Sequence, residues 1–254
     1  MLRKLLKYDF KSGIRVFGFL WLGILGVAGL SCLMNSIGDP DSEMRILMGV
    51  FSVFPLIFAI GGAMVYPYVY GATRFHKGLL GREGYLMFTL PTTPWKLLTS
   101  KLITAVGFAI VTVIVALTGL AITVGGFFAP MVDAGIGFAD IFGVEDFGGY
   151  GLTTILSYLL SLITGFLQIY LACCLGHLCR SKRVLWAVLF YMALSLGNSM
   201  ITSFMQIITV SRGADGLGEM MESMFYLDIP FKLGLGILYF FLSERILRTK
   251  LNLE

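Results

Sequence analysis

Six long apolar stretches dominate this chain of 254 residues. Each is near or above about 18 residues, the length at which a hydrophobic run is interpreted as a membrane-spanning helix. Only 13% of the residues are charged, whereas a soluble domain carries about 25%. The sequence therefore predicts a single all-α integral membrane domain over residues 1–254. Its six transmembrane helices are expected near residues 17–34, 46–72, 95–125, 151–175, 184–210 and 229–243.

Basic residues are concentrated on one predicted side of the membrane. Eleven of the 15 acidic residues lie on the opposite side, where the only Lys and Arg residues are Arg45, Arg212 and, at the edge of the last span, Lys232. Loops rich in Lys and Arg remain in the cytoplasm. We therefore expect a multi-pass protein of the cell membrane with both termini in the cytoplasm. Sixteen of the 19 Lys and Arg residues fall in the predicted inner segments, which are 1–16, 73–101, 176–183 and 244–254.

The first sixteen residues carry a basic and an apolar stripe at helical spacing. This pattern predicts an amphipathic helix lying in the membrane interface, and a simple basic flank of the first span is the alternative. Asp9 falls within the apolar stripe, and the sequence does not explain its role. Recurring charges and the lack of a small-residue cleavage site argue against a cleavable signal. The residues proposed to define this interfacial helix are Lys4, Lys7, Phe10, Lys11 and Arg15.

Several features modify the simple picture of six spans and five loops. Pro55 and Pro67 predict kinks or local unwinding in the second span. The outer segments 126–150 and 211–228 are predicted to be solvated loops. In the second of them a short partial helix is expected to dip into the outer leaflet, and it would carry Met220, Met221, Met224 and Phe225.

The motifs of enzymes are missing from this sequence. There is no P-loop, so this chain is not expected to bind ATP itself, and no protease or hydrolase signature occurs. We therefore expect no catalytic residue, cofactor site or metal site, and no nucleic-acid partner. Between residues 17 and 210 the predicted spans also hold no Asp, Glu, Arg or His in their interiors. Because ion-coupled transporters place such groups within the membrane, any transport would draw its energy from another chain.

Two groups of polar residues within the spans have alternative interpretations. Gln168, Asn198 and Gln206 could line a substrate path, or they could form hydrogen bonds between helices. A second group contains cysteines and a histidine at spacings that soft metals accept. Buried thiols are common apolar residues, so we predict no metal there and leave the role of the group open. Its members are Cys173, Cys174, His177 and Cys179.

The long polar interval at residues 73–101 contains two helix signals. Residues 82–90 predict a short helix that ends before Pro91. Thr93 can cap a second helix that has Pro94 at its first position and continues into the third span. An interval with its own helix is typical of a docking surface rather than a simple return of the chain.

The sequence of this interval resembles a known family. The run from Glu83 to Pro91, followed by Trp95-Lys96-Leu97-Leu98 and Ser100-Lys101-Leu102, is similar to the first cytoplasmic loop of ABC-2 type permeases. Small six-span permeases of Gram-positive bacteria are the most similar. Gly176-His177-Leu178 with Arg183-Val184-Leu185 is similar to their second cytoplasmic loop.

The resemblance implies the membrane subunit of an ABC exporter. Two such subunits, identical or different, would pair in the bilayer, and separate ATPase subunits carrying ATP and Mg²⁺ would bind beneath them. The cargo would be amphiphilic and moved by alternating access. Alternatives are a non-transporting scaffold or immunity protein of the same fold, and an ATP-independent carrier. The contacts with the ATPase implied by the resemblance are Arg82, Glu83, Tyr85, Leu86 and Leu90 of a coupling helix; packing of these residues on the protein's own helix ends is the alternative.

Overall fold

A computed structural model describes residues 2–36, 43–80, 94–133, 147–179, 182–211 and 217–249, and within these ranges it consists of helices and the turn that joins two of them. A π-helical turn, His76–Leu80, continues the second helix. The α-helices are α1 (Leu2–Ser36), α2 (Glu43–Phe75), α3 (Pro94–Asp133), α4 (Phe147–His177), α5 (Arg183–Ser211) and α6 (Leu217–Thr249).

Each α-helix contains one segment long and apolar enough to cross a membrane, so the predicted number of spans is confirmed. The protein is therefore an all-helical, multi-pass membrane protein. Most boundaries of the candidate spans differ from those predicted, most clearly the start of the first span and both ends of the second, whereas the end at Met34 and the start at Trp95 agree. They are Leu6–Met34, Val53–Gly78, Trp95–Thr123, Ile155–His177, Arg183–Ile208 and Tyr226–Arg248.

The N-terminal segment is continuous with the first span, and its position in the membrane interface stays a prediction. Helix α1 runs unbroken through 35 residues, which corresponds to about 52 Å at 1.5 Å per residue. One buried face extends along it from Asp9 and Gly13 through Phe17 to Ile24 and beyond. Because the same face is buried before and after residue 16, the segment packs as a continuation of the span.

Helix α2 remains α-helical through Pro55 and Pro67, so the predicted unwinding is not observed. A proline removes one backbone donor, and the hydrogen bonds on either side keep the helix continuous. The departure from α-helical geometry comes later, at His76–Leu80.

The predicted outer loops are shorter than expected. Helix α3 continues to Asp133 and α4 begins at Phe147, so both ends of segment 126–150 are helical. Helix α6 begins at Leu217, and the expected helix in segment 211–228 is confirmed. It is continuous with the last span, however, and brings Asp228 and Pro230 into the same helix.

The chain divides into two compact units. Unit 1 contains Arg3–Val69 and Gly107–Glu145, and unit 2 contains Tyr70–Val106 and Asp146–Glu254. The core of unit 1 consists of Ile24, Ala28, Leu56 and Ala63, with partly buried apolar neighbours.

Helix α4 is the central element of unit 2 and contacts α5, α6 and the π-helical turn. In its most apolar stretch of 18 residues 56% are buried, against 6% in the corresponding stretch of α5. Ser157 of α4 contacts Asp228 of α6, and Thr164 lies against Gly236 further along both helices. Helices α4 and α6 therefore run in the same direction, as two spans separated by one return crossing must.

Candidate functional site

The polar interval between α2 and α3 is bounded by two well-defined helix ends. The π-helical turn ends at Leu80, and α3 begins at Pro94, as the sequence predicts. The proposed coupling residues Arg82, Glu83, Tyr85, Leu86 and Leu90 lie outside the described residues, as does the proposed cap Thr93. At the start of α3, Trp95 is half exposed, and Nζ of Lys96 lies 5.7 Å from the centre of its ring. This cation–π contact suits the headgroup level of a membrane.

Aromatic contacts fix the π-helical turn on the end of α4. Phe75, the last residue of α2, stacks on Tyr170 with ring centres 4.3 Å apart, and both side chains are fully buried. One residue later, His76 meets His177 edge-on, with ring centres 6.4 Å apart. The consecutive residues Phe75 and His76 therefore contact α4 at two positions, Tyr170 and His177, which lie about two helical turns apart.

The turn also lies against the beginning of α3. Gly78 faces the side chain of Lys101, which is buried. A Cβ atom at position 78 would lie 3.7 Å from Cε of Lys101 and 3.9 Å from Nζ. A Cβ atom at position 78 would thus make ordinary van der Waals contact with the lysine, so the turn and the start of α3 are adjacent.

The connection from α4 to α5 is tight and depends on a glycine. A Cβ atom at Gly176 would lie 2.6 Å from both the Cβ and the backbone N of Ala187, closer than real atoms pack. The backbone N–H groups of Leu178 and Cys179 donate to the carbonyls of Leu175 and Gly176, at 3.1 and 3.3 Å. Residues 176–178, which carry part of the family resemblance, thus have a structural role in closing this hairpin.

Lys182 completes the hairpin before α5 begins. Its φ is +50°, a left-handed conformation uncommon for a residue with a side chain. Its carbonyl accepts hydrogen bonds from the N–H groups of Leu185 and Trp186, at 2.9 and 3.2 Å. The start of α5 is therefore fixed by backbone hydrogen bonds to Lys182.

A charged group between α4 and α6 was missed by the sequence analysis. The Ser157 hydroxyl donates to Oδ2 of Asp228 at 2.7 Å and accepts from Nζ of Lys232 at 3.1 Å, and Asp228 and Lys232 form an ion pair. Ser157 is buried, and the two charged side chains are about three-quarters buried. The sequence does contain an acid and a base four residues apart, a spacing at which they can pair on a helix. The pair was not predicted because the last span was expected to begin at residue 229, after Asp228.

The proposed substrate-path residues differ in their surroundings. Gln168 is buried in α4, and its Nε2 has no hydrogen-bond partner among the described residues. On α5, Asn198 is partly buried and Gln206 is exposed. They stand eight residues apart, which is about 12 Å along a helix. The three side chains therefore do not share one environment.

The residues of the predicted interfacial helix lie on α1. Lys7, Lys11 and Arg15 are exposed, and the side chain of Lys4 lies outside the described set. Phe10 packs against α3 of unit 1, with its ring centre 5.1 Å from that of Phe108. Asp9 is 7% exposed and lies on the face of α1 that packs inward. The apolar stripe is thus partly a packing surface within unit 1.

The cysteine group lies at the end of α4 and in the following turn. Cys174 is buried, Cys173 and Cys179 are partly buried, and all three are free thiols. Among the residues that the structure describes, no three His, Cys, Asp or Glu side chains are grouped as a metal site requires. The neighbour of His177 is the ring of His76.

Comparison of the chain with protein-family models, with curated proteins and with solved structures finds no match.

Proposed function

We propose that this protein is the membrane subunit of an ATP-binding cassette exporter. It pairs with a second permease subunit, and a separate ATPase supplies the energy. Six candidate spans and the concentration of Lys and Arg in four segments support an arrangement with both termini in the cytoplasm. The absence of a P-loop from the sequence assigns ATP binding to the partner.

One observation carries the proposal. The segment that resembles a coupling loop leaves α2 through a packed π-helical turn and enters α3 at Pro94, directly beside a candidate span. A partner bound to residues 82–90 would thus be one residue from the π-helical turn and three residues from the start of α3. We assign the polar contacts with the ATPase to Arg82 and Glu83, and the apolar contacts to Tyr85, Leu86 and Leu90.

The headgroup contacts and the substrate contact are assigned from the exposure or burial of the side chains. The exposed basic residues Lys7, Lys11 and Arg15 of α1 face anionic headgroups of the bilayer. Gln168 is our candidate for a substrate contact, because its buried Nε2 has an unused donor. The cargo is an amphiphilic or apolar molecule, in keeping with spans rich in Phe, Met and Gly.

A charge change in the loop tests the proposal. The chain is co-expressed with a P-loop ATPase encoded by a neighbouring reading frame, and both co-purification and ATP hydrolysis are measured. We expect the wild-type complex to form and Glu83→Lys to weaken it about tenfold, the effect of losing about 1.4 kcal/mol. Glu254→Lys is the matched control, since it makes the same charge change on the same predicted side of the membrane. Unchanged binding and hydrolysis in Glu83→Lys would remove Glu83 from the interface.

An ATP-independent carrier is the second candidate, and the Ser157–Asp228–Lys232 group favours it. Ionisable residues within spans frequently serve ion or proton coupling, and this pair lies inside the last candidate span. The argument from charge-poor spans therefore applies to residues 17–210 only. Transport in vesicles that contain this chain alone, abolished by Asp228→Asn, would support the carrier and contradict the exporter.

A further inference from the structure

The most unusual backbone in the described chain is the π-helical turn at His76–Leu80. π-helical segments are rare, because they depart from the better-bonded α-helical geometry, and they occur frequently at functional sites. This one lies at the end of the second candidate span, Val53–Gly78, and immediately before residues 81–93.

The turn contacts helices on two sides within unit 2. Phe75 and His76 contact Tyr170 and His177 of α4, with ring centres 4.3 and 6.4 Å apart. Gly78 lies beside the buried side chain of Lys101 of α3. Close-packed interiors transmit displacement rather than absorb it, so a shift of the turn must move its neighbours or break these contacts.

The end of α4 is in turn closely coupled to α5. Gly176 and Ala187 are in backbone contact without room for a methyl group. His177, which receives the contact from His76, is the next residue after Gly176 and the last of α4. The path from the turn to the start of α5 therefore runs through packed groups at every step.

We propose that the π-helical turn is a mechanical joint that passes a displacement imposed at Leu80 by a bound partner to the end of α4 and to the start of α5. His76 and His177 are positioning residues that hold the turn against the end of α4. The stack of Phe75 on Tyr170 anchors the turn there. The inference rests on the proposed function for the source of the movement, but the joint itself is a property of this chain. Partner binding at residues 82–90 would displace the membrane helices through these four residues.

Hydrogen exchange of the full chain in lipid nanodiscs tests the joint without any partner. Gly78→Val places new carbon atoms against Lys101 and should displace the turn. We expect amide exchange at residues 170–179 to rise about tenfold, as it does when local opening becomes easier. Gly61→Val, on α2 where a Cβ atom meets nothing within 4 Å, should leave that exchange unchanged. Faster exchange confined to residues 76–80 would overturn the proposal, as would an equal rise over α1.

A histidine series then tests the role of the joint in coupling. Nδ1 of His177 is buried and makes no hydrogen bond within the part of the chain that the structure describes, so phenylalanine keeps the ring contact and removes no described bond of that atom. With the ATPase co-expressed, we expect His177→Ala to reduce the stimulation of ATP hydrolysis about fivefold, at the lower end of coupling effects. Co-purification should be unchanged, and His177→Phe should retain most of the stimulation.

The two experiments separate failure of the joint from failure of the proposed function. Full stimulation in His177→Ala would overturn the joint. If the wild-type chain neither binds nor stimulates the ATPase, the proposed function fails, and hydrogen exchange alone then decides whether the turn and α4 move together.

Discussion

Two helix contacts, one in each unit, differ in their chemistry. In unit 1, Phe17 and Trp21 of α1 meet α3 through neutral groups: Phe17 stacks on Phe108 at 4.4 Å, and Trp21 Nε1 donates to Thr112 Oγ1 at 3.0 Å. In unit 2, α4 meets α6 through the Ser157 hydroxyl and an ion pair. Lipid provides little hydrophobic gain for helix association, so packing and polar contacts decide both interfaces.

The two contacts differ in the interactions that remain when one of the paired residues is replaced. The Thr112 hydroxyl also donates to the carbonyl of Phe108 in its own helix, at 2.8 Å. It therefore stays bonded if Trp21 is replaced. If Lys232 is replaced, Asp228 keeps the hydrogen bond from the Ser157 hydroxyl but loses its counter-charge. One neutral hydrogen bond does not compensate a carboxylate that is about three-quarters buried, so the loss of Lys232 in unit 2 should cost more stability than the loss of Trp21 in unit 1.

The largest expected effect is at the α4–α5 turn of unit 2. Gly176→Ala forces a methyl group into backbone contact with Ala187, and we expect a loss of about 3 kcal/mol in the free energy of unfolding. Thermal unfolding in detergent measures it. Gly197→Ala is the control, since a Cβ atom there meets nothing within 4 Å, and it should be neutral or stabilise α5. Equal stability of the two variants would show that the hairpin is not tightly closed.

A smaller loss is expected from breaking the ion pair. Lys232→Met leaves the Asp228 carboxylate partly buried without its cation, and we expect a loss of about 2 kcal/mol. The double variant Asp228→Asn with Lys232→Met removes both charges and should recover most of this stability. If the double variant is as unstable as the single one, packing rather than charge holds α4 on α6.

The smallest effect should come from unit 1. Trp21→Phe removes the donor to Thr112 while keeping an aromatic ring beside Phe17. We expect a loss of about 0.6 kcal/mol, the average for hydrogen bonds between membrane helices. A loss as large as that of Lys232→Met would erase the distinction between the two units.

Sequence patterns predict the six spans because hydropathy is a property of single residues summed along a segment. They also predict the helix start at Pro94, where the backbone constraint of proline is local. The continuity of α1 was only the alternative interpretation, because the amphipathic pattern alone does not show which face other segments bury. The contact of Asp228 and Lys232 with Ser157 was not predicted, because it joins residues 71 and 75 positions apart. Charges at residues 3–15 and 228–232 indicate a membrane boundary when read alone, although packing and pairing place them within continuous helices.

The candidate site also has one part that a sequence can propose and one part that only the structure shows. The residues that resemble a coupling loop form one continuous run, so a sequence can propose them, and their role stays a prediction because they lie outside the described residues. The joint beside them requires Phe75 to meet Tyr170 and His76 to meet His177 across about a hundred residues. Nothing in the spacing of two isolated histidines indicates that they are neighbours.

Replacing residues 82–90 with a Gly-Ser linker of the same length tests the central claim most directly. The variant keeps the helices on either side and removes every proposed contact with the ATPase. ATP hydrolysis by the co-expressed ATPase is measured in nanodiscs that contain wild-type chain or the variant. We predict that the wild-type chain binds and stimulates the ATPase and that the linker variant does neither, while its thermal unfolding is unchanged. Equal binding and stimulation by the linker variant would contradict the account.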